Sequence, residues 1–397
     1  MPSLLKTSGA DGAAARSDRA GRFRWPQARL AAALAITVVG VPLAAIGGHP
    51  AASPTAIAAA KEDAIAKTAR DNVPKAAPGP GPAPSSLRVP SGEPVSLAFA
   101  GDVNVEGDAR AVLTGGLTAI APALGAADLT MLNLETAVTE EGEGHRVDKQ
   151  YAFRAPATTL RALQQAGVDV VTMANNHGMD YGVPGLRGSL AAAERARMPL
   201  VGIGVDERSA YAPHVTTVRG QRIAVLGATQ VFDSTVEKAW TAQGARPGLA
   251  SAKRVDRLLA EVWAIRPDAD TVVVYLHWGR ELAPCPLPQQ RSLARQLVGA
   301  GADVLVGTHA HVLLGGGYLD GAYVDYGLGN FAFAARRSET SRTGVLTLTV
   351  EGRAVTDSRW TPAVVRRGVP IPLEGAAAPA AVWHKRALST CAGFGPS

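Results

Sequence analysis

Cysteine, histidine and aromatic residues are all scarce in this chain, and each scarcity removes a class of protein. Two cysteines, Cys285 and Cys391, in 397 residues exclude a structural zinc site built from clustered thiolates. They leave open either a single disulfide, if the chain is exported, or a chance pair. Aromatic residues make up 5% of the sequence, and only the short Arg22–Trp25 stretch alternates them with basic residues. The net charge of +6 is therefore not a nucleic-acid footprint. Most of it lies in residues 1–29, where Lys6, Arg16, Arg19, Arg22, Arg24 and Arg29 stand against Asp11 and Asp18. The remainder of the chain is close to neutral. What is plentiful is alanine, glycine and aliphatic residues: hydrophobic types reach 47%, enough for a sizeable core, and small residues suit closely packed α/β layers.

The basic segment 1–29 precedes the uncharged run "LAAALAITVVGVPLAAI", Leu30 to Ile46. A basic flank before an apolar run directs a chain to a membrane, with the flank on the cytoplasmic side. The run is at the short end for a spanning helix and long for a signal-peptide core. The reading is a single-pass anchor with an extracytoplasmic domain, or a secreted protein if the segment is cleaved. No cysteine follows directly, so a lipid anchor is not expected. Residues 47–93, with "KAAPGPGPAPSS" at their centre, read as an extended, disordered Ala/Pro-rich linker. A folded domain is expected over 94–366, and a weak helix or tail over 367–397.

Within 94–366 one arrangement recurs. A helical pattern ends in small residues, a short run of β-type residues follows, and a polar cluster closes it. "VSLAFAGDVN" delivers Asp102 and Asn104; "LGAADLTMLNLE" delivers Glu135; "QQAGVDVVTMANNHG" delivers Asn175, Asn176 and His177. "RPDADTVVVYLHWGRE" delivers His277 and Glu281, and "VGAGADVLVGTHAHV" delivers His309 and His311. Helix–strand alternation predicts an α/β fold in which helices cover the sheet faces. In such folds the residues just past the carboxyl ends of the strands share one crevice. In an extended segment residues i and i+2 point the same way, so both imidazoles of His309 and His311 are expected to face it.

Four of the eight histidines fall at these strand ends; His145 and His214 lie in loop-like sequence. Asp102, Asn104, Glu135, Asn176, His277, His309 and His311 form a mixed set of carboxylate, carboxamide and imidazole ligands. That mixture suits one or two divalent ions of the Mn, Fe or Zn kind. Two ions roughly 3.5–4 Å apart can hold a hydroxide and the oxygens of an in-line displacement. His177 is the candidate catalytic acid for the leaving group. Glu281 either orients a histidine or forms a surface ion pair, and Asn330 in "DYGLGNF" either lines the site or caps a turn.

The ordered set "GDVN", "NLE", "MANNHGMDYG", "LHWGRE", "GTHAHV" and "YGLGNFAF", spread over about Ser96 to Phe333, resembles the CapA family of bacterial capsule and poly-γ-glutamate synthesis proteins. That family in turn resembles calcineurin-like metallophosphatases. The resemblance implies layered β-sheets flanked by helices. Asn104 stands where that superfamily has a histidine, and Glu135 where it has a bridging aspartate. It also implies a part in making or exporting an anionic extracellular polymer, with membrane components of a capsule synthase as partners. Chemistry would be metal-assisted hydrolysis of a phosphoester or of an amide in the polymer. Two further readings stay open: a non-catalytic assembly or polymer-binding factor, and a secreted metallophosphodiesterase.

Overall fold

The computed structural model describes residues 92–395, apart from 141, 143 and 144. The expected membrane segment 30–46 and nearly all of the linker 47–93 lie outside the described residues. Among those described, no helix is long and apolar enough to cross a membrane.

Fourteen strands carry the architecture. In chain order they are β1 (Val95–Val103), β2 (Leu129–Leu134), β3 (Val170–Thr172), β4 (Leu200–Val201), β5 (His214–Val218), β6 (Gln221–Thr229) and β7 (Thr271–His277). There follow β8 (Val304–Thr308), β9 (Gly316–Leu319), β10 (Ala322–Asp325), β11 (Asn330–Ala332), β12 (Arg342–Glu351), β13 (Ala354–Arg366) and β14 (Val369–Pro372). Five helices matter for packing: α1 (Thr158–Gln165), α2 (Gly182–Ala196), α3 (Val255–Ile265), α4 (Pro288–Ala300) and α5 (Ala377–Ala392).

The strands form two mixed sheets. The first runs β14-β13-β12-β1-β2-β3-β4, with β11 also paired to β1. The second runs β9-β10-β8-β7-β6-β5. The strands at the centre of the site are parallel: β1 with β2, β2 with β3, β7 with β6 and β7 with β8.

The alternation of side chains along each strand sorts the core into three layers. Val95, Leu97 and Phe99 of β1 pack between the sheets with Met131, Val273, Tyr275, Val304 and Val306. Ala98 and Ala100 point the other way, towards Leu160 and Leu163 of α1 and Leu186 of α2. On the far side Val272, Val274, Leu276 and Leu305 meet Leu258 and Val262 of α3 and Leu293 and Leu297 of α4. The result is helix, sheet, sheet, helix. Each buried aliphatic side chain contributes about 1.5–3 kcal/mol. A one-residue slip would move a whole strand's set to the wrong layer, so the register is fixed by the pattern.

Two features place the strand ends. Gly101 approaches Gly329 so closely that a Cβ would lie 1.9 Å from the Gly329 carbonyl oxygen; this contact seats β11 beside β1. Gly301 closes α4 in the left-handed conformation, φ 109°, and turns the chain directly into β8.

The polypeptide does not leave the fold at Arg366. β14 adds an antiparallel strand to the first sheet, and the stretch left by the sequence as a weak helix or tail forms α5. Cys391 of α5 is joined to Cys285, with Cα atoms 5.5 Å apart, settling the pairing that the sequence left open. Lys385 of α5 is buried, its ammonium 2.7 Å from an Asp325 carboxylate oxygen and bonded to the Leu314 carbonyl at 2.5 Å. Hydropathy could not signal this docking, because an ion pair and a disulfide provide it rather than an apolar stripe.

Candidate metal centre

The five polar clusters meet where the carboxyl ends of both sheets face one another. β1 supplies Asp102, fully buried, and β2 is followed by Glu135, also fully buried. The turn after β3 brings Asn175, Asn176 and His177. β7 ends in His277, and β8 is followed by His309 and His311. The Glu135 Oε1 atom lies 3.6 Å from His277 Nε2 and 3.9 Å from both His177 Nε2 and His311 Nε2. Asp102 lies 3.8 Å from His277 Nδ1 and 3.5 Å from His311 Nδ1. Asn176 Oδ1 is 2.8 Å from His277 Nε2. Ligand atoms of Asp102, Glu135 and His277 all fall within 4.8 Å of one another. Six of the seven expected ligands therefore sit in one cluster.

Asn104 is held by its own turn. It is buried, but its Oδ1 accepts the backbone N–H of Glu106 at 2.6 Å. A short carboxamide side chain at this turn is drawn to the nearest backbone donor.

His309 and His311 face the cluster by a route that differs from the extended one expected. Both lie in the left-handed region, with φ 90° and 55°. Strain of this kind persists only where surrounding contacts enforce it. Here Asp102 accepts the His309 N–H at 3.1 Å, and Asn330 Oδ1 lies 2.8 Å from His311 Nδ1. Asn330 thus orients His311 rather than merely capping a turn.

Several residues around the site carried no clear signal in the sequence. Asn133 donates to Asp102 Oδ1 at 2.7 Å and accepts from Asn175 at 2.9 Å. Thr308 Oγ1 is 3.1 Å from His277 Nδ1. Asp180 is 2.6 Å from His177 Nδ1 and ion-paired with Lys149 at 2.9 Å. The spacing of "NNHGMD" on a tight turn was the available hint for Asp180.

Burial dominates the electrostatics. It holds the Glu135 carboxyl well above the usual carboxylate range, and the like charge of Asp102 pushes in the same direction. Asp102 is also raised by burial, against opposing help from His311 and Asn133. Burial drives His277 well below the ordinary imidazole value and His309 down to about 3, with His311 adding to the effect. His177 is lowered by burial, and Asp180 opposes that shift. The imidazoles of His177, His277 and His309 are consequently neutral near pH 7 and offer lone pairs.

Both carboxylate oxygens of Glu135 and the Nδ1 atom of His309 are buried without a hydrogen-bond partner among the described residues. Groups of this kind cost about 1–3 kcal/mol each when left unsatisfied. A divalent cation among these carboxylate, carboxamide and imidazole donors would satisfy them, and the donor set fits such an ion.

A layered α/β protein with this polar cluster at its strand ends is the class that fold and site define. Residues 96–335, more than half of the chain, match the family described as "Bacterial capsule synthesis protein PGA_cap", and the chain belongs to that family. It is 32% identical over 265 residues to "Capsule biosynthesis protein CapA" of Bacillus anthracis, covering 65% of this chain and 63% of that protein. It is 30% identical over 256 residues to "PGA biosynthesis protein CapA" of Bacillus subtilis (strain 168), covering 64% and 66%. The chain thus spans a little under two thirds of each of these relatives. A solved structure described as a novel phosphatase from Mycoplasma pneumoniae aligns over 69% of this chain and 94% of that chain, with 15% identity and a TM-score of 0.44.

Proposed function

We propose that this chain is an extracytoplasmic accessory protein for synthesis or export of an anionic, poly-γ-glutamate-type capsule polymer, and that its strand-end cluster is a divalent-metal site with hydrolytic chemistry. The observation that carries the metal reading is Glu135, whose two buried oxygens have no hydrogen-bond donor while histidine nitrogens stand 3.6–3.9 Å away. Family membership and the printed names of the two Bacillus relatives support the capsule role. The uncharged run 30–46 behind a basic flank supports placement at the membrane or beyond it. Membrane components of a polymer synthase are the partners this role calls for.

Asp102, Glu135, Asn176, His277, His309 and His311 would hold the metal. When bound, such an ion activates water and polarises the scissile phosphoester or amide. The remaining work belongs to His177. Asp180 accepts its Nδ1 proton, which leaves Nε2 bare and facing Glu135. Nε2 can therefore take a proton from the attacking water and pass it to the leaving group. Asp180 and Lys149 hold the ring in that orientation.

A second reading, a non-catalytic assembly or polymer-binding factor, is favoured by one observation. The Asn104 oxygen is already engaged with its own turn, which weakens one position of a two-ion site. The deciding experiment is metal analysis of the purified protein beside a His309→Ala/His311→Ala variant. One or two equivalents of Mn, Zn or Fe, lost in the variant, support the metal reading. No metal after reconstitution sinks it and leaves the assembly role. With metal present, a His177→Gln variant that still supports capsule formation favours assembly over hydrolysis.

A further inference from the structure

The carboxylate that sequence analysis left as an orienting or surface group stands at the same site. Glu281, His309 and His311 each offer a ligand atom, and these atoms lie within 4.8 Å of one another. The three form a set separate from Asp102, Glu135 and His277. Resting on the metal reading above, we propose that Glu281 is a ligand for a second, solvent-facing ion held with His309 and His311.

Three observations carry this. First, His309 is buried and its Nδ1 atom has no hydrogen-bond partner, so a lone pair at this set is unsatisfied. Second, the loop bearing Glu281 is fixed against the histidine segment. Leu282 donates its N–H to the Ala310 carbonyl at 2.9 Å, between the two histidines. Gly279 and Leu282 have φ of 93° and 58°, matching the left-handed histidines on the facing segment. A leucine adopts this conformation rarely, and here it turns the chain beside Glu281. Third, the Glu281 carboxylate is engaged with no other described residue by hydrogen bond or ion pair. An unpaired carboxylate beside two imidazoles matches the mixed ligand sets of borderline divalent ions.

The two sets differ in exposure. Asp102, Glu135 and His277 are fully enclosed, whereas Glu281 is exposed and His311 half-buried. The outer ion is therefore expected to exchange with solvent and bind more weakly than the inner one. It would also be the ion that meets substrate.

The test is equilibrium dialysis of the full-length protein against Mn2+, with bound metal counted by elemental analysis. Glu281→Gln is compared with the parent, and with Glu351→Gln as an exposed acid at the opposite end of the strands. Because Glu281 is exposed, its variant should keep the parent's thermal midpoint, which is measured alongside. The expected result is two equivalents in the parent and in Glu351→Gln. Glu281→Gln should retain the tight equivalent and bind the weaker one at least tenfold less well. Two equivalents unchanged in Glu281→Gln overturn this inference and leave the metal reading intact. One equivalent in the parent that Glu281→Gln does not alter does the same. No metal in the parent overturns both.

Discussion

At the scale of single residues, the site works by withholding partners. Glu135 and His309 are buried with atoms that no other described residue satisfies, while their neighbours are tightly held: Asn133 on Asp102, Asn330 on His311, Asp180 on His177. The identities of the ligand-type residues were legible because each follows an apolar strand in a repeating pattern. The residues that orient them were not. Asn133 lies within the strand itself, and Asp180 reaches His177 only because the turn brings i and i+3 together. Asp180 gives the clearest residue-scale prediction. Replacing it with Asn removes the acceptor charge that fixes the Nδ1–H tautomer, without touching a proposed ligand. Metal stoichiometry should stay at the parent's value. Nitrogen–proton correlation spectra should show a mixture of His177 tautomers in place of one. Turnover of any hydrolysable substrate should drop by about 10²-fold or more. A single unchanged tautomer would remove Asp180 from its orienting role.

At the scale of elements, the sheet registers do the positioning, and here the sequence was read more successfully. Continuous apolar strands of five to nine residues, β1, β7 and β8 among them, announced buried strands with helices over the sheet faces. That they divide between layered sheets came from the family resemblance and not from the pattern, since periodicity marks which residues are inside but not which partner covers them. Nor was the local backbone at His309 and His311, where tertiary contacts override the extended conformation. The first residues of β1 and β2 are clamped by Asp128, which accepts the Ser96 N–H at 2.9 Å and hydroxyl at 2.6 Å and pairs with Arg219 at 2.7 Å. Partial burial raises its carboxyl, but the Ser96 and Arg219 interactions outweigh that and hold it below the usual value. A depressed carboxylate pKa stabilises the fold above the unfolded value, about pH 3.9, and that stability fades as pH falls through the native value. Asp128→Ala should therefore cost about 1–2 kcal/mol at pH 7. The gap from the parent should narrow below about pH 4. Urea titrations at pH 7 and pH 3 measure both, and a gap that persists undiminished at pH 3 would contradict the ionised clamp.

At the scale of the whole molecule, the C-terminal helix ties the second sheet to the site loop. Cys285 lies four residues beyond Glu281 and is bonded to Cys391 on α5 across a sequence separation of 106. Arg291 of α4 donates to the carbonyls of Cys391 and Ala392 at 2.6 Å each. Lys385 pairs with Asp325 beneath the same helix, its ammonium 5.2 Å from the Trp360 ring centroid. These contacts make α5 part of the domain. One cysteine and one lysine in an alanine-rich stretch gave no clear sign of it in the sequence, because their partners lie 106 and 60 residues away. A closed loop of that length restricts the unfolded chain by about 4.7 kcal/mol in the chain-entropy view. A Cys285→Ala/Cys391→Ala variant should accordingly unfold at a lower denaturant concentration, by about 2–5 kcal/mol, with the slope of the transition little changed. The bond also suits an oxidising compartment, so reductant should reproduce the loss in the parent and leave the variant unaffected. If the variant and the parent unfold together in oxidising buffer, the bond contributes nothing to stability. The Lys385–Asp325 pair and the Arg291 contacts would then be what holds α5 in place.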